Sequence, residues 1–117
     1  MTLLAKNPRL PYFAVVFTSL RTPDDPEGYA VMSDRMLQLA PAQPGFLGVE
    51  TARGDDGLGI TVSYWSSLEA IHNWREHAEH RLAQLRGRSG WYREYRLRIC
   101  RVEREIQFES DGPCPSN

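Results

Sequence analysis

The stretch that decides the fold runs from Ser63 to His80 and reads SYWSSLEAIHNWREHAEH. It continues the segment Leu58 to Trp65 (LGITVSYW), whose aromatic and β-branched residues are typical of a strand. Ser66-Ser67-Leu68-Glu69 then has the pattern of a capping box. In such a box the Ser66 hydroxyl and the Glu69 carboxylate each satisfy a free backbone N–H. The sequence therefore predicts a strand that passes through a helix cap into a helix.

The predicted helix is amphipathic, and it concentrates the side chains that could form a chemical site. Its apolar residues are spaced by 3, 4, 4 and 3 positions, which places them on one helical face. The helix is expected to end near Gly87. All three histidines and two of the three tryptophans lie between Ser63 and His80. The apolar positions are Ile71, Trp74, Ala78, Leu82 and Leu85.

Two strands and a helix are predicted upstream of this stretch. Tyr12 to Leu20 (YFAVVFTSL) is a strand whose unbroken apolar run indicates cover on both faces. The segment Thr22-Pro23-Asp24-Asp25-Pro26-Glu27 offers an aspartate that can cap and a proline suited to a first helical turn, so a helix should begin there. The turn Gly54 to Gly57 joins the second strand, Phe46 to Arg53, to the third. The helix between them has an apolar face formed by Tyr29, Met32, Met36 and Leu39.

The last predicted strand, Trp91 to Phe108, changes phase along its length. Its apolar residues stand at odd positions as far as Ile99 and at even positions from Cys100 onward. Side chains alternate between the two faces of a strand, so the buried face switches there. Either a bulge lies near Ile99-Cys100, or the second half leaves its own sheet and packs against something else.

The element order β-α-β-β-α-β predicts an α+β, ferredoxin-like fold with one antiparallel sheet and two helices on one face. Residues 1–11 are expected to form an arm, 12–108 the domain and 109–117 a disordered tail. The face of the sheet without helices needs a cover, because the first strand is apolar on both sides. A second copy of the chain is the simplest cover, which predicts a homodimer with facing sheets.

Composition limits the partners and the location. The chain has 117 residues and a formal net charge of -1, which argues against a nucleic-acid-binding surface. No apolar run approaches the ~20 residues of a membrane span, and we expect no signal peptide. Cys100 and Cys114 match no metal or redox spacing. Two unrelated thiols suit a reducing compartment, so a cytoplasmic location is expected.

Four motifs follow one another along the chain: Pro44-Gly45-Phe46-Leu47-Gly48-Val49-Glu50, Val62-Ser63-Tyr64-Trp65-Ser66-Ser67-Leu68-Glu69-Ala70, Trp74 with His77 and His80, and the closing strand from Tyr95 to Phe108. Together they make the chain resemble a known family, the antibiotic biosynthesis monooxygenase (ABM) domain of the dimeric α+β barrel superfamily. The resemblance covers Tyr12 to Phe108.

The resemblance implies a ferredoxin-like protomer, a homodimer, and a pocket between the sheet and the helices. The family includes enzymes that oxidise aromatic polyketides without a metal or flavin, and others that degrade haem. The haem-degrading members use a helix Trp, a His about three turns further along, and an Asn on the first strand. Trp74 matches the Trp, but Gln84 stands near the expected His and the first strand has no Asn. Haem degradation of that type is therefore disfavoured.

Trp74 and His77 are the candidate catalytic residues. Trp74 lies in the middle of the apolar helix face, where it either packs in the core or forms the wall of a pocket for a flat aromatic ligand. His77 lies one turn further, on the shoulder of that face. Its ordinary pKa near ~6.5 would allow it to act as a general base at neutral pH. A His that only packs or contacts solvent is the alternative.

The remaining candidates are aromatic side chains and the other histidines. Phe13, Phe17 and Trp65 are the candidate substrate contacts, and we expect the phenylalanine face of the first strand to line the helix-side cleft. His77 and His80 form an i, i+3 pair, but Glu76 and Glu79 are expected to project outward. No third ligand is then available, so no metal site is predicted. His72 is expected at the surface.

Three functions remain open at this stage. The first is a cofactor-independent monooxygenase acting on a small aromatic or quinol-like molecule, with no cofactor bound. The second is a non-catalytic dimer that binds a small molecule. The third, weakened by the departures above, is a haem-binding or haem-degrading monooxygenase.

Overall fold

A computed structural model describes residues 4–5, 9–85 and 90–110, with backbone alone for 80–85. Four strands form one antiparallel sheet in the order β2-β3-β1-β4. Two helices follow β1 and β3, which confirms the ferredoxin-like β-α-β-β-α-β arrangement. The elements are β1 (Tyr12–Arg21), α1 (Pro26–Leu39), a 3-10 turn (Ala40–Ala42), β2 (Phe46–Arg53), β3 (Leu58–Trp65), α2 (Leu68–Leu85) and β4 (Tyr92–Val102).

The central position of β1 explains why its sequence is apolar. The strand has neighbours on both edges, and helices cover one of its faces. Its odd-numbered residues face the helices: Val15 lies in a buried cluster with Trp65, Ala70 and Ile71. Its even-numbered residues form the opposite surface, here called the open face. There Ala14 pairs with Tyr64 of β3 and with Cys100 of β4. The phenylalanine face of β1 was expected to line the helix-side cleft, and Phe13 and Phe17 both lie on the side of the sheet that carries the helices.

Helix α1 begins as the sequence predicts. Asp25 is the N-cap, in a left-handed conformation (φ 49°), and its carboxylate accepts a hydrogen bond from the Gly28 N–H. The Trp91 indole donates to the same carboxylate at 3.2 Å, which ties the start of α1 to the approach of β4. Tyr29 and Met32 are the buried residues of the helix, and Met36 packs against them.

The cap of α2 differs from the prediction. The Ser67 hydroxyl, rather than that of Ser66, accepts a hydrogen bond from the Ala70 N–H at 3.0 Å. The helix therefore begins one residue later than the capping box requires, at Leu68. The Ser66 backbone N–H is instead bonded to the Gly45 carbonyl at 2.8 Å, which holds the strand end against the turn before β2.

Strand β4 is shorter than the sequence predicts. Its register with β1 runs without a shift from Leu20↔Glu94 to Tyr12↔Val102, so no bulge lies near Ile99-Cys100. Within this regular strand, the apolar residues lie on the helix face as far as Ile99 and on the open face from Cys100 onward. The apolar pattern therefore changes phase although the backbone does not. Strand structure ends at Val102, and the following residues leave the ladder. The departure from the sheet offered as the second alternative occurs only after Val102, beyond the predicted switch at Ile99-Cys100, and Ile106 and Phe108 in the departing segment are exposed.

The open face is covered by this chain only in part. Tyr12 is buried, and residues 105–109 and Leu4-Ala5 lie over that end of the sheet. Leu58 and Ile60, further along, are about 40% exposed. In the described ranges, no helix is long and apolar enough to cross a membrane. Predictions for Gly87, Cys114 and the side chains of His80, Leu82, Gln84 and Leu85 lie outside the described residues.

Candidate functional site

A cleft of about 350 Å³ opens between the helix face of the sheet and the two helices, and is here called the helix-side cleft. Val15, Phe17 and Ser19 of β1 form its floor. Its walls are predominantly apolar, as in most small-molecule sites. Residues of both helices and of β4 complete the lining, among them Met32, Met36, Leu37, Trp74, Ala78 and Leu97.

Trp74 forms a wall of this cleft and is held from behind by a second tryptophan. The Trp65 and Trp74 rings are stacked, with centroids 5.9 Å apart and an interplanar angle of 24°. Trp65 is fully buried, and its indole donates to the Ser63 hydroxyl at 2.9 Å. Since Trp65 has no exposed surface, it fixes the plane of Trp74 rather than touching a ligand.

The three predicted substrate contacts therefore occupy different places. Phe17 lines the helix-side cleft, where its ring also contacts Tyr92 and Tyr95 with centroids 5.5 and 5.3 Å away. Phe13 packs against the buried cluster around Trp65 and is not among the lining residues. Trp65 lies beneath the cleft wall.

His77 lies beside Trp74 but outside the lining of the cleft. The two rings are stacked at 5.9 Å with an interplanar angle of 30°. Its Nε2 atom is buried and has no hydrogen-bond partner within the part of the chain that the structure describes. The face of α2 that reaches the cleft carries Trp74, Arg75, Ala78 and Glu79 instead. Glu79 is exposed, as expected, and its side chain also borders the cleft.

A polar cluster forms part of the cleft wall near the start of α1. The Arg53 guanidinium donates to the Tyr29 hydroxyl, and its second terminal nitrogen donates to the Ser33 hydroxyl at 2.7 Å. The guanidinium carbon of Arg21 lies 4.6 Å from the centroid of the Tyr29 ring, and that of Arg53 lies 5.1 Å from it. Arg21, Tyr29, Arg53 and Tyr92 are here called the arginine–tyrosine cluster.

Tyr92 connects this cluster to the sheet. Burial raises the pKa of Tyr92, and the neighbouring Tyr29, whose ring centroid lies 5.8 Å away, raises it further. Arg53 and Arg21 act in the opposite direction but are weaker. The hydroxyl of Tyr92 therefore stays protonated at neutral pH and remains a donor rather than a base.

A second polar cluster lies on the open face. Glu50 accepts a hydrogen bond from the Tyr64 hydroxyl at 2.6 Å and from the Ala5 N–H at 3.1 Å. Burial, followed by the hydrogen bond to Glu50, raises the pKa of Tyr64. The Tyr12 hydroxyl donates to Glu105, and this bond lowers the pKa of that carboxyl. These bonds fasten the arm and the segment after β4 to the sheet.

The two histidines whose side chains the structure describes, His72 and His77, belong to no metal site formed by described residues. His72 is exposed and lies 3.6 Å from Glu76 in the next turn of the helix. No group of three His, Cys, Asp or Glu side chains with metal-binding geometry is found among residues 4–5, 9–79 and 90–110. The His80 side chain lies outside the described residues.

Sequence patterns indicated part of this site and missed the polar wall. Trp74 and Phe17 follow from helix and strand periodicity. Arg53 and Tyr29 are 24 positions apart and meet only because β2 ends beside the first turns of α1. A weak signal was present, since an arginine ends a predicted strand next to a turn, but no local spacing connects it to Tyr29.

The family of the chain follows from comparison with known proteins. The model of the antibiotic biosynthesis monooxygenases matches residues 15–86, more than half of the chain. The chain belongs to this family. It is 49% identical over 111 residues to the uncharacterized protein YqjZ of Bacillus subtilis, covering 95% of this chain and 96% of that protein.

Relatives with assigned activities are more distant. The jasmonate monooxygenase ABM of Pyricularia oryzae is 26% identical over 99 residues, which cover 81% of this chain but 45% of that protein. Among solved structures, SnoaB, a cofactor-independent oxygenase from Streptomyces nogalater, gives a TM-score of 0.66 at 14% identity. That match covers 85% of this chain and 99% of SnoaB. Another solved structure, PA3566 of Pseudomonas aeruginosa, gives a TM-score of 0.64 at 18% identity, and the match covers 86% of this chain and 100% of PA3566. Likeness at this level establishes the fold alone.

Proposed function

We propose that this protein is a cofactor-independent monooxygenase that oxidises a small aromatic or quinol-like molecule in the helix-side cleft. The observation that carries the proposal is the apolar cleft of about 350 Å³ walled by the ring of Trp74. Membership of a family that includes monooxygenases supports it. A flat ligand would stack on Trp74 and rest on Phe17, while the surrounding apolar side chains exclude water.

The reaction requires an electron-rich anion and dioxygen. A phenol or anthrone first loses a proton, and the resulting anion transfers an electron to O₂ before the two radicals combine at carbon. For an anthrone, the CH₂ group becomes a carbonyl, one oxygen atom enters the product and the other leaves as water. Within the described part of the cleft lining, Glu79 is the carboxylate that could receive the proton.

For His77 we propose a positioning role. Its ring supports Trp74 from outside the cleft, so it acts on a ligand through the tryptophan. The variant His77→Phe keeps a flat ring against Trp74 and should retain most activity, whereas His77→Ala should lose several-fold. A general base would behave differently, since both variants would then be equally inactive. His72→Ala, at an exposed position of the same helix, is the matched control.

Oxygen consumption tests the proposed reaction. Wild-type protein is mixed with a panel of hydroquinones and anthrones, and uptake is compared with that of Trp74→Ala and Trp74→Phe. Trp74→Ala should reduce turnover by about tenfold or more, because a ligand that is poorly oriented reacts slowly. Trp74→Phe should be affected less. Thermal melts of the variants show whether the fold is intact. No uptake with any member of the panel would overturn the proposal.

A non-catalytic binding protein is the second candidate, and one observation favours it. The described histidine closest to the cleft, His77, does not line it, and Tyr92 stays protonated. Binding of a panel member without oxygen uptake would be the outcome expected of this alternative.

We also propose that the protein is a homodimer whose open faces meet. Ile106 and Phe108 are 93% and 92% exposed on the segment that follows β4, and Leu58 and Ile60 are exposed on the open face. Apolar side chains this exposed on a small chain are typical of an interaction surface. A second copy related by a two-fold axis would bury both groups at once.

A further inference from the structure

The two arginines of the arginine–tyrosine cluster form no ion pair with a carboxylate among the described residues. Among the described residues, ion pairs join His72 to Glu76 and Arg96 to Glu94. Neither Arg21 nor Arg53 is paired in this way, although both guanidinium groups lie over the buried ring of Tyr29. Two like charges held beside one ring repel each other, so the arrangement favours a bound anion.

Unused hydrogen-bond donors in the arginine–tyrosine cluster also favour a bound anion. Arg53 has five N–H groups, and its bonds to Tyr29 and Ser33 use two of them. The Tyr29 hydroxyl accepts the bond from Arg53, and its own proton has no acceptor among the described residues. The cluster therefore offers donors and lacks acceptors, and burial keeps the pKa of Tyr92 raised so that its proton is retained.

The rest of the cleft limits what such an anion can be. Its lining beside the cluster is apolar and includes Phe17, Met32 and Met36. On the α2 side, Arg75 and Glu79 contribute one charge of each sign, so Arg53 leaves the lining with an excess of positive charge. A volume of about 350 Å³ lies at the small end of the range for ligand pockets. A free inorganic anion would gain nothing from the apolar walls.

We propose that the arginine–tyrosine cluster is an anchoring subsite for a carboxylate, and that the natural ligand is a small apolar acid. The carboxylate would bind the free N–H groups of Arg53 and the unused hydroxyl proton, and the apolar body would extend toward Trp74. This inference rests on the proposed use of the helix-side cleft and deepens it. It makes Arg53 a specificity-determining residue, because an uncharged analogue would lack the charge-assisted bonds that a carboxylate forms with a guanidinium.

Binding of a matched pair of probes tests the subsite. Affinities of 2-naphthoate and of neutral 2-naphthamide are measured by calorimetry with wild-type protein, Arg53→Gln and Tyr29→Phe. Wild type should prefer the acid by about tenfold or more, as expected for charge-assisted bonds at a partly exposed group. Arg53→Gln should remove this preference while amide binding is unchanged. Tyr29→Phe, which keeps the ring and removes the hydroxyl, should reduce it in part.

The matched control is Arg98→Gln, which removes an exposed arginine from the open-face side of β4, opposite Val16. It should leave both affinities unchanged. Equal affinity of wild type for the two probes, binding of neither, or equal losses in Arg53→Gln and Arg98→Gln would each overturn the subsite. The same experiments distinguish failure of the subsite from failure of the proposed oxygenase reaction. Arg53-dependent acid binding without oxygen uptake would retain the subsite and remove the oxygenase, whereas uptake of neutral quinols independent of Arg53 would do the reverse.

Discussion

At the scale of single residues, the site separates into a part that sequence patterns reveal and a part that they do not. The helical period placed Trp74 on the apolar face of α2, and the strand period grouped Phe13 with Phe17, but strand parity alone could not decide which face of β1 lines the cleft. The sequence could not show that Trp65 lies beneath Trp74, because strand parity gives a face but not a depth. The contact between Arg53 and Tyr29 depends on where β2 ends in space.

The raised pKa of Tyr92 gives a residue-level prediction about alkaline stability. Folding favours the protonated form, so its contribution is fully present below the ordinary tyrosine pKa of about 10. As the pH rises above that value, the unfolded chain loses the proton first, and the free energy of unfolding falls. Tyr92→Phe should therefore show a shallower alkaline decline than wild type. Urea midpoints between about pH 8 and 11 check this. Parallel declines would contradict the assignment of the effect to Tyr92.

At the scale of elements, the bounds of β1, β2 and β3 agree with the apolar runs. The start of α2 and the course of β4 show what local patterns miss. Ser66-Ser67 offers two possible caps, and the choice depends on the bond from the Ser66 N–H to the Gly45 carbonyl. That partner is 21 positions away in the sequence, so no local rule selects Ser67. In β4 the phase change was read correctly, but only the register with β1 shows that the strand stays regular.

The cap of α2 can be tested directly. Replacing Ser67 by alanine removes the bond to the Ala70 N–H and should lower the free energy of unfolding by about 1 kcal/mol. Ser66→Ala is the matched control and should cost less, since the bond of Ser66 described here uses its backbone. Urea unfolding of the two variants measures the difference. A larger loss in Ser66→Ala would restore the capping box that the sequence predicted.

At the scale of the whole molecule, the open face and the segment after β4 both leave apolar side chains exposed. The sequence indicated that β1 needs cover on both faces, and the structure shows helices on one side and partial cover on the other. The remaining apolar surface is a property of the sheet as assembled, because Leu58 and Ile60 of β3 become neighbours of β1 only through the strand order. What fills it depends on a second molecule.

The proposed dimer predicts a change of mass when this surface is made polar. Phe108→Ser should shift the protein from dimer to monomer at micromolar concentration, because it removes an exposed aromatic anchor of the interface. Val31→Ser is the matched control, since Val31 is 61% exposed on α1, away from the open face. Sedimentation velocity distinguishes the species. A wild-type protein that is already monomeric would contradict the dimer.

The central claim is that the helix-side cleft is where the ligand is bound and oxidised, and filling the cleft tests it most directly. Ala78 lines the cleft on α2, whereas Ala30 is exposed on α1, so Ala78→Phe and Ala30→Phe add the same side chain in two environments. If the ligand is oxidised in the cleft, oxygen uptake with the best substrate of the panel should be lost in Ala78→Phe and retained in Ala30→Phe. Undiminished uptake by a folded Ala78→Phe protein would contradict it.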